Sequence, residues 1–454
     1  MTEADKAQGR LSAEAAAGGA IGRLVLDLWQ RTRIDWSFAS GRLAEAFRRE
    51  RRLGASERRF AAETLYGMIR QLRRLDEALA AGGLRPGGPA PDRERLLAYL
   101  VLEGGLEPAD AARHAPGIDW AAVAGIDAAL ERERDPVRRL ARRRSLPDWL
   151  AELLVAERGA EEADRLAEAL GQRAPMTLRA NLLVNDADEL IARLAEEGIA
   201  AHRGELAPAA VIVDGRTNLF ATAAFREGRF EAQDEGSQLI AELVAPPPRG
   251  RVVDYCAGAG GKTLALAAQL GSRGRVVACD VDGRKLAELK RRARRAGASN
   301  IQAVELPPGT EAALPRPLVA LEARAERVLV DAPCSGVGAM RRNPEARWRL
   351  TPDDVRRLPD LQLAIARRAL DLVAPGGRLV YATCTLLRAE NQAVVERLLG
   401  ERGELELVSP REVWGGARGA PLCDPSGVYL ELLPHRHGTD GFFAAVLRRR
   451  APRT

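Results

Sequence analysis

A chain of 454 residues is longer than one small core can organise and implies about two to four domains. Its hydrophobic fraction of 46% is ordinary for a globular protein, no apolar run is long enough to cross a bilayer, and a net charge of +6 from 69 basic and 63 acidic residues is mild. The five cysteines (Cys256, Cys279, Cys334, Cys384 and Cys423) never stand as C-x-x-C, and the four histidines (His114, His202, His435 and His437) form no H-E-x-x-H. Zinc ribbons, thioredoxin-type sites and a disulfide framework are therefore excluded as readings, and no metal is expected.

In chain order, residues 1–19 read as a flexible tail. Met1 to Gly22 lacks the basic start and apolar stretch of a secretion signal, so a cytoplasmic location is expected. From Gly22 to about Ala81 apolar residues recur at helical spacing, as in Leu24, Leu28 and Trp29, then Phe60, Ala61, Leu65 and Ile69. Residues 82–91 (GGLRPGGPAP) read as a loop, and helical pattern resumes over 93–102 and 120–142. Residues 20–140 are thus expected to form an all-helical module. Ser145-Leu146-Pro147 fits a helix start.

Residues 145–245 change character. Helical stretches at 149–170 and 186–197 alternate with apolar runs at 176–184 and 210–213, which predicts a small α+β domain. Residues 246–450 alternate short strands (252–254, 275–279, 327–331, 378–383, 442–447) with helices (262–270, 283–296, 355–372, 389–399). That alternation predicts a mostly parallel, Rossmann-like α/β sheet covered on both faces.

Arginine is clustered. Residues 48–59 hold six Arg against two Glu, and 138–144 hold five Arg. Such clusters suit a phosphate backbone, or are simply solvated helix faces. Lysine is rare (Lys6, Lys262, Lys285 and Lys290), which singles out Lys262 inside a glycine turn.

That turn, Asp254 to Thr263, reads DYCAGAGGKT between a strand and a helix. Gly258, Gly260 and Gly261 permit a tight turn and a close ligand, and Asp280 at the end of the next strand suits two ribose hydroxyls. The layout accommodates an adenosine-containing cofactor without separating NAD from S-adenosylmethionine. A P-loop is excluded because Cys256 stands where its first glycine belongs, and G-x-G-x-x-G is absent. A merely connecting turn is the plainer alternative.

Four blocks in order make the reading specific: CAGAGGKT at 256–263, DAPCSGVGAMRRNPEARW at 331–348, YATCTLLRAEN at 381–391 and TDGFFAAVL at 439–447. With QRAP at 172–175, LRAN at 178–181 and FEAQDEGSQ at 230–238, the chain resembles the RsmB/NOP (Sun) family of S-adenosylmethionine-dependent RNA 5-methylcytosine methyltransferases. Residues 53–70 resemble the NusB-like helical domain of RsmB-type members. The resemblance implies a NusB-like RNA-binding module at 20–140, a small α+β RNA-binding domain at 145–245 and a methyltransferase domain at 246–450.

By the same resemblance, Ala257, Gly258, Ala259, Gly260, Gly261, Lys262 and Thr263 form the cofactor loop, and Asp280 holds the ribose. Asp331 lies near the cofactor methyl group and the base, Cys384 is the nucleophile, and Cys334 is associated with product release. Lys262 reads as a contact to cofactor carboxylate or substrate phosphate, or as a solvated helix start. Arg341, Arg342 and Asn343 suit RNA contacts, and Asp440 an active-site wall. The chain departs from the family in two places. Gly258-Ala259 replaces a usual Ala-Pro, and Pro307 takes the place of an acidic residue near the adenine, with Glu305 nearby.

The residue types suit the chemistry. Carbon 5 of cytosine is a poor nucleophile until a thiolate adds at carbon 6, and thiols ionise close enough to neutrality for local tuning. Buried core cysteine is the competing reading, and Cys256 and Cys279 lie at the same sheet edge. Cys423 has only a structural reading. RNA is the expected partner, ribosomal RNA first and transfer RNA as the alternative, with no membrane partner and a monomeric state. A non-catalytic RNA-binding factor and a small-molecule or protein methyltransferase are the competing functions.

Overall fold

The computed structural model describes residues 3–84, 91–215, 217–271 and 273–451. The chain forms two compact units: residues 1–172 with 340–352, and residues 173–339 with 353–454.

The first unit is helical, as expected. Its framework is the 27-residue helix Ala55–Ala81, whose Phe60, Leu65, Met68 and Ile69 are buried with Val25, Leu28 and Trp29 of helix Ala20–Asp35. Helix starts are fixed locally: Asp119 accepts from the amides of Ala121 and Ala122, and Asp135, followed by Pro136, accepts from Val137 and Arg138. The N-terminal tail reading is overturned. Glu3–Ala16 is a helix that buries Leu11, Ala15 and Ala16, and the Ser12 hydroxyl donates to the Gly104 carbonyl at 2.8 Å. Apart from Leu11 its buried apolar face consists of alanines, which leave a faint pattern. The loop expected at 82–91 falls partly on residues 85–90, outside the described residues.

The segment 340–352 enters this helical unit. Arg347 is fully buried and donates to the carbonyls of Arg70 (3.0 Å), Ser145 (3.3 Å) and Leu170 (3.2 Å). The Trp348 indole donates to the Ile69 carbonyl at 2.7 Å, and Glu345 accepts from the Ala39 amide at 3.1 Å.

The second unit holds two sheets. The smaller has β1 (Met176–Ala180), β2 (Ala201–Arg203), β3 (Ala210–Val213) and β4 (Phe230–Ala232) in the order β2-β3-β1-β4, all antiparallel. Helix Ala187–Glu196 begins with a capping box of Asp186 and Glu189 and packs on this sheet through Leu190 and Leu194.

The larger sheet has eight strands: β5 (Arg251–Asp254), β6 (Arg275–Asp280), β7 (Ile301–Glu305), β8 (Ala325–Asp331), β9 (Val373–Thr383), β10 (Leu405–Val408), β11 (Leu430–Leu432) and β12 (Phe442–Arg449). Their order is β10-β12-β9-β8-β5-β6-β7, with β11 on β12. β5 to β9 run parallel, while β12 is antiparallel to β9, β10 and β11. β9 starts earlier than the sequence indicates: Pro375-Gly376-Gly377 lies inside it, at a register shift against β8 between Ala325 and Arg327.

Alternation along each strand splits the core. Val253, Val277, Val328 and Tyr381 face helices Pro352–Leu370 and Gln392–Glu401, whereas Val252, Val276, Leu329 and Val380 face helices Glu235–Leu243 and Gly261–Gln269. Both faces are therefore covered, and the open edge for a ligand is the carboxyl end of the strands around β5, where the chain order reverses.

Candidate active site

The strand ends bring most of the sequence-selected residues to one edge. β8 and β9 are parallel neighbours with Asp331 opposite Ala382. Cys334 follows β8 by three residues and Cys384 follows β9 by one, and their sulfurs stand 3.4 Å apart. All five cysteines are free, and Cys334 and Cys384 are both partly exposed.

A buried carboxylate holds the two cysteine loops together. Glu390, fully buried, accepts from the Ser335 amide at 2.9 Å, the Thr385 hydroxyl at 3.2 Å and the Gln362 amide at 2.8 Å. Gln362 also donates to the Pro333 carbonyl at 3.0 Å, and the hydroxyls of Ser335 and Thr385 meet at 2.7 Å. Asn391 adds a bond to the Thr385 carbonyl at 3.1 Å. Glu390 and Asn391 lie in the 381–391 block, yet sequence reasoning gave them no role. Their signal was an acid and an amide close behind a Cys-Thr pair.

Hydrogen bonding to Cys384, then burial, pushes the Cys334 thiol well above its ordinary pKa. The two sulfurs share one S–H···S contact in which either thiol can donate. Burial also pushes up Cys256 and Cys279, which stand at the same edge. Cys423 bonds the Gly419 carbonyl at 3.1 Å, away from this cluster in the chain's secondary structure.

Beside the cysteines, the Lys262 ammonium lies 2.5 Å from Asp331 and 5.6 Å from the centroid of the Phe442 ring. Burial opposes the lysine's charge, but the Asp331 carboxylate outweighs it and raises the pKa. Asp440, expected at the site wall, is buried and its amide donates to Asp234 at 3.2 Å.

The glycine loop joins β5 to helix Gly261–Gln269. Gly260 has φ +86°, and a Cβ there would stand 2.6 Å from Leu289, so the position requires glycine. The Gly258 and Asp282 amides donate to the Asp280 carboxylate at 2.8 and 2.9 Å, which aims that acid along the loop. Asp254 takes the Thr263 hydroxyl at 2.7 Å on one oxygen, and its other oxygen is buried without a partner. Burial, more than any neighbouring group, pushes its pKa up to about 7.

A family model described as 16S rRNA methyltransferase RsmB/F matches residues 241–448, and a second, the RsmF/B-like ferredoxin-like domain, matches 146–219. The probable ribosomal RNA small subunit methyltransferase B of Synechocystis sp. is 33% identical over 423 residues, covering 87% of this chain and 92% of that one. The chain belongs to the RsmB/F family. Among solved structures, PH0851 is 26% identical with a TM-score of 0.73, over 94% of this chain and 98% of its own. NSun6 from Pyrococcus horikoshii, solved with SFG, is 21% identical with a TM-score of 0.58, over 67% of this chain and 99% of its own, and shares the fold.

The protein is thus an S-adenosylmethionine-dependent RNA methyltransferase of this family, with a helical N-terminal region, a ferredoxin-like domain and a Rossmann-like catalytic domain. The residues present fit that cofactor: an open turn at Gly258, an acid at the end of β6, and an unpartnered carboxylate oxygen on Asp254 at the base of the loop. Glu305 ends β7 opposite Asp280, with its carboxylate against the start of helix Gly283–Arg295.

Two expectations about arginine change. Arg341 is buried, and its carbonyl accepts from Arg70 at 3.3 Å inside the helical unit, so it does not offer RNA a surface contact. The 138–144 cluster is largely neutralised: Arg144 pairs with Asp164 at 2.7 Å and Glu168 at 3.1 Å, Arg142 with Glu133 at 3.2 Å and Arg143 with Glu131 at 3.4 Å. Among the described residues Arg51, Arg52 and Arg59 are exposed and have no carboxylate partner. No helix among the described residues is long and apolar enough to cross a membrane, and no metal-ligand cluster occurs among them.

Proposed function

We propose that the protein methylates carbon 5 of a cytosine in RNA through a covalent adduct on Cys384. The single observation that carries this reading is the pair of thiols, 3.4 Å apart, at the ends of neighbouring strands beside the cofactor loop. Ribosomal RNA of the small subunit is the proposed substrate, by likeness to the relatives named for it, and the cytoplasm the proposed location. The protein acts as a monomer, with transfer RNA the alternative substrate.

The 257–263 loop, Ala257 to Thr263, would hold the cofactor, Asp280 would take its ribose hydroxyls and Asp331 would stand near its reactive end. S-adenosylmethionine supplies the methyl group. The Cys384 thiolate adds to carbon 6 of the base, forming a C–S bond and moving the double-bond electrons to carbon 5, which takes the methyl group. Asp331, steadied by Lys262, orients the polar edge of the ring.

The neighbour's state then governs Cys334. Once Cys384 is a thioether, Cys334 faces a neutral sulfur that no longer shares a thiol proton with it. Cys334 releases its proton to solvent and takes the carbon 5 proton. The double bond reforms and the C–S bond breaks, which returns Cys384 as thiolate. A base must leave its stack to reach these thiols.

The RNA grip belongs to the helical module at 20–140 and the small domain at 145–245. Arg51, Arg52 and Arg59 suit phosphates, and half-exposed Phe38, with the Arg349 guanidinium 5.0 Å from its ring centroid, offers a stacking surface. Bisulfite mapping of cellular RNA with and without the gene tests the whole reading: one cytosine should lose its 5-methyl mark, and an unchanged map refutes it.

A further inference from the structure

The LRAN and FEAQDEGSQ blocks, read as part of an RNA-binding domain, meet the cofactor loop from behind. Arg179 of β1 is buried, and its guanidinium donates to the Gly261 carbonyl at 2.6 Å and to the Gln233 side-chain carbonyl. Gln233 is held in turn by Ser237 at 2.9 Å. On the other side, Arg292 of helix Gly283–Arg295 donates to the Ala259 carbonyl at 2.8 Å. The same guanidinium grips Glu231 of β4 at 2.9 and 3.1 Å, and Arg295 takes the other Glu231 oxygen.

The approach is close by construction. The Asn181 amide donates to the carbonyls of Gly228 and Ala296, both at 2.8 Å, and a Cβ on Gly228 would stand 1.9 Å from the Arg295 carbonyl oxygen. Only glycine lets the small domain seat there.

Where a loop offers an amide N–H to a ligand, the carbonyl of the same trans peptide unit points the other way. Ala259, in the loop, and Gly261, the first residue of the helix that follows it, each have a carbonyl held by a guanidinium. Donation to these oxygens also polarises the N–H groups that share those peptide units: the Gly260 amide, which closes the turn onto the Ala257 carbonyl at 2.9 Å, and the Lys262 amide at the start of the helix.

We propose that the small domain is part of the cofactor site. Arg179 and Arg292, backed by Gln233 and Glu231, are positioning residues that keep the 257–263 loop in its cofactor-binding shape. The inference rests on S-adenosylmethionine as cofactor and is independent of the base methylated.

Titration calorimetry of the full chain with S-adenosylmethionine, without RNA, tests it. Arg292→Met is the decisive variant because this side chain is partly exposed and Glu231 retains Arg295. Its Kd and KM for the cofactor should rise about tenfold, the worth of one charge-assisted hydrogen bond. The kcat at saturating cofactor and the KM for RNA should stay within about twofold of the parent, because neither depends on this bond once the loop is filled. Arg292→Lys should recover part of the affinity, since an ammonium reaches one of the two oxygens. Arg179→Lys should show the same cofactor-specific loss if it folds, and Arg292→Met decides the matter if it does not. A parent-like cofactor Kd in folded Arg292→Met overturns the inference, as does a fall in kcat with KM unchanged. A parent protein that itself fails to bind S-adenosylmethionine would instead overturn the cofactor.

Discussion

Two cations, the buried Arg347 and the partly buried Lys262, are held in opposite ways. In the helical unit, Arg347 is surrounded by neutral carbonyls, and burial, then the nearby Arg70, lowers its pKa to about 9. In the catalytic unit, Lys262 is paired with a carboxylate that raises its pKa. Arg347 spends its donors joining three stretches of chain that are distant in sequence, which is a structural use. Lys262 has one hydrogen-bond partner, at the carboxyl edge of the sheet, and donors to spare, which is the arrangement the proposed site needs. Burial of a charge therefore says little about role until its partners are counted.

The comparison breaks or sharpens by mutation. The largest effect belongs to neither cation: Cys384→Ala should lower turnover by on the order of 1,000-fold or more in an RNA methylation assay, with the fold intact. Cys334→Ala should instead accumulate a protein–RNA adduct visible as a shifted band on a denaturing gel. Next, Lys262→Met should lower kcat/KM by about 100-fold, on the scale of losing a group that orients an active-site acid, while the melting temperature moves little. Arg347→Met should do the reverse and cost about 3 kcal/mol in denaturant unfolding, because three buried carbonyls lose their donor. Parent-like stability of Arg347→Met would erase the contrast.

A smaller effect concerns Asp254, whose buried carboxyl titrates near 7. The folded protein holds this proton at pH values where the unfolded chain has lost it. The stability so gained is complete below about pH 4 and is lost as pH rises through about 7. Thermal melting followed from pH 5 to 8 should therefore decline for the parent relative to Asp254→Asn, and parallel curves would refute the assignment. The smallest effect is on RNA grip: Arg51→Glu with Arg52→Glu should flatten the dependence of RNA affinity on salt by about two counterions without changing cofactor affinity.

Legibility in the sequence followed locality. Strand–helix alternation over 246–450 was readable because each element carries its own period, and the glycine turn because its residue types are demanded by backbone geometry. The helix Glu3–Ala16 was misread because alanine buries little area and leaves a faint pattern. The excursion of 340–352 into the helical unit had no signal, since the catalytic block runs on through Arg341 without a break in composition. Glu390 stood inside a noticed block, but its role as a hub depends on Ser335 and Gln362, which are remote in sequence.

The sequence by itself determined that Cys334 and Cys384 follow strands and that a glycine turn precedes them. Tertiary structure decided that β8 and β9 are parallel neighbours, which puts Asp331 opposite Ala382 and the two sulfurs in contact. It also decided that Arg179 and Arg292 close on the glycine loop. Local periodicity is written in each element's own side chains, whereas which strands adjoin, and what stands behind a loop, is settled by burial shared among segments far apart in the chain.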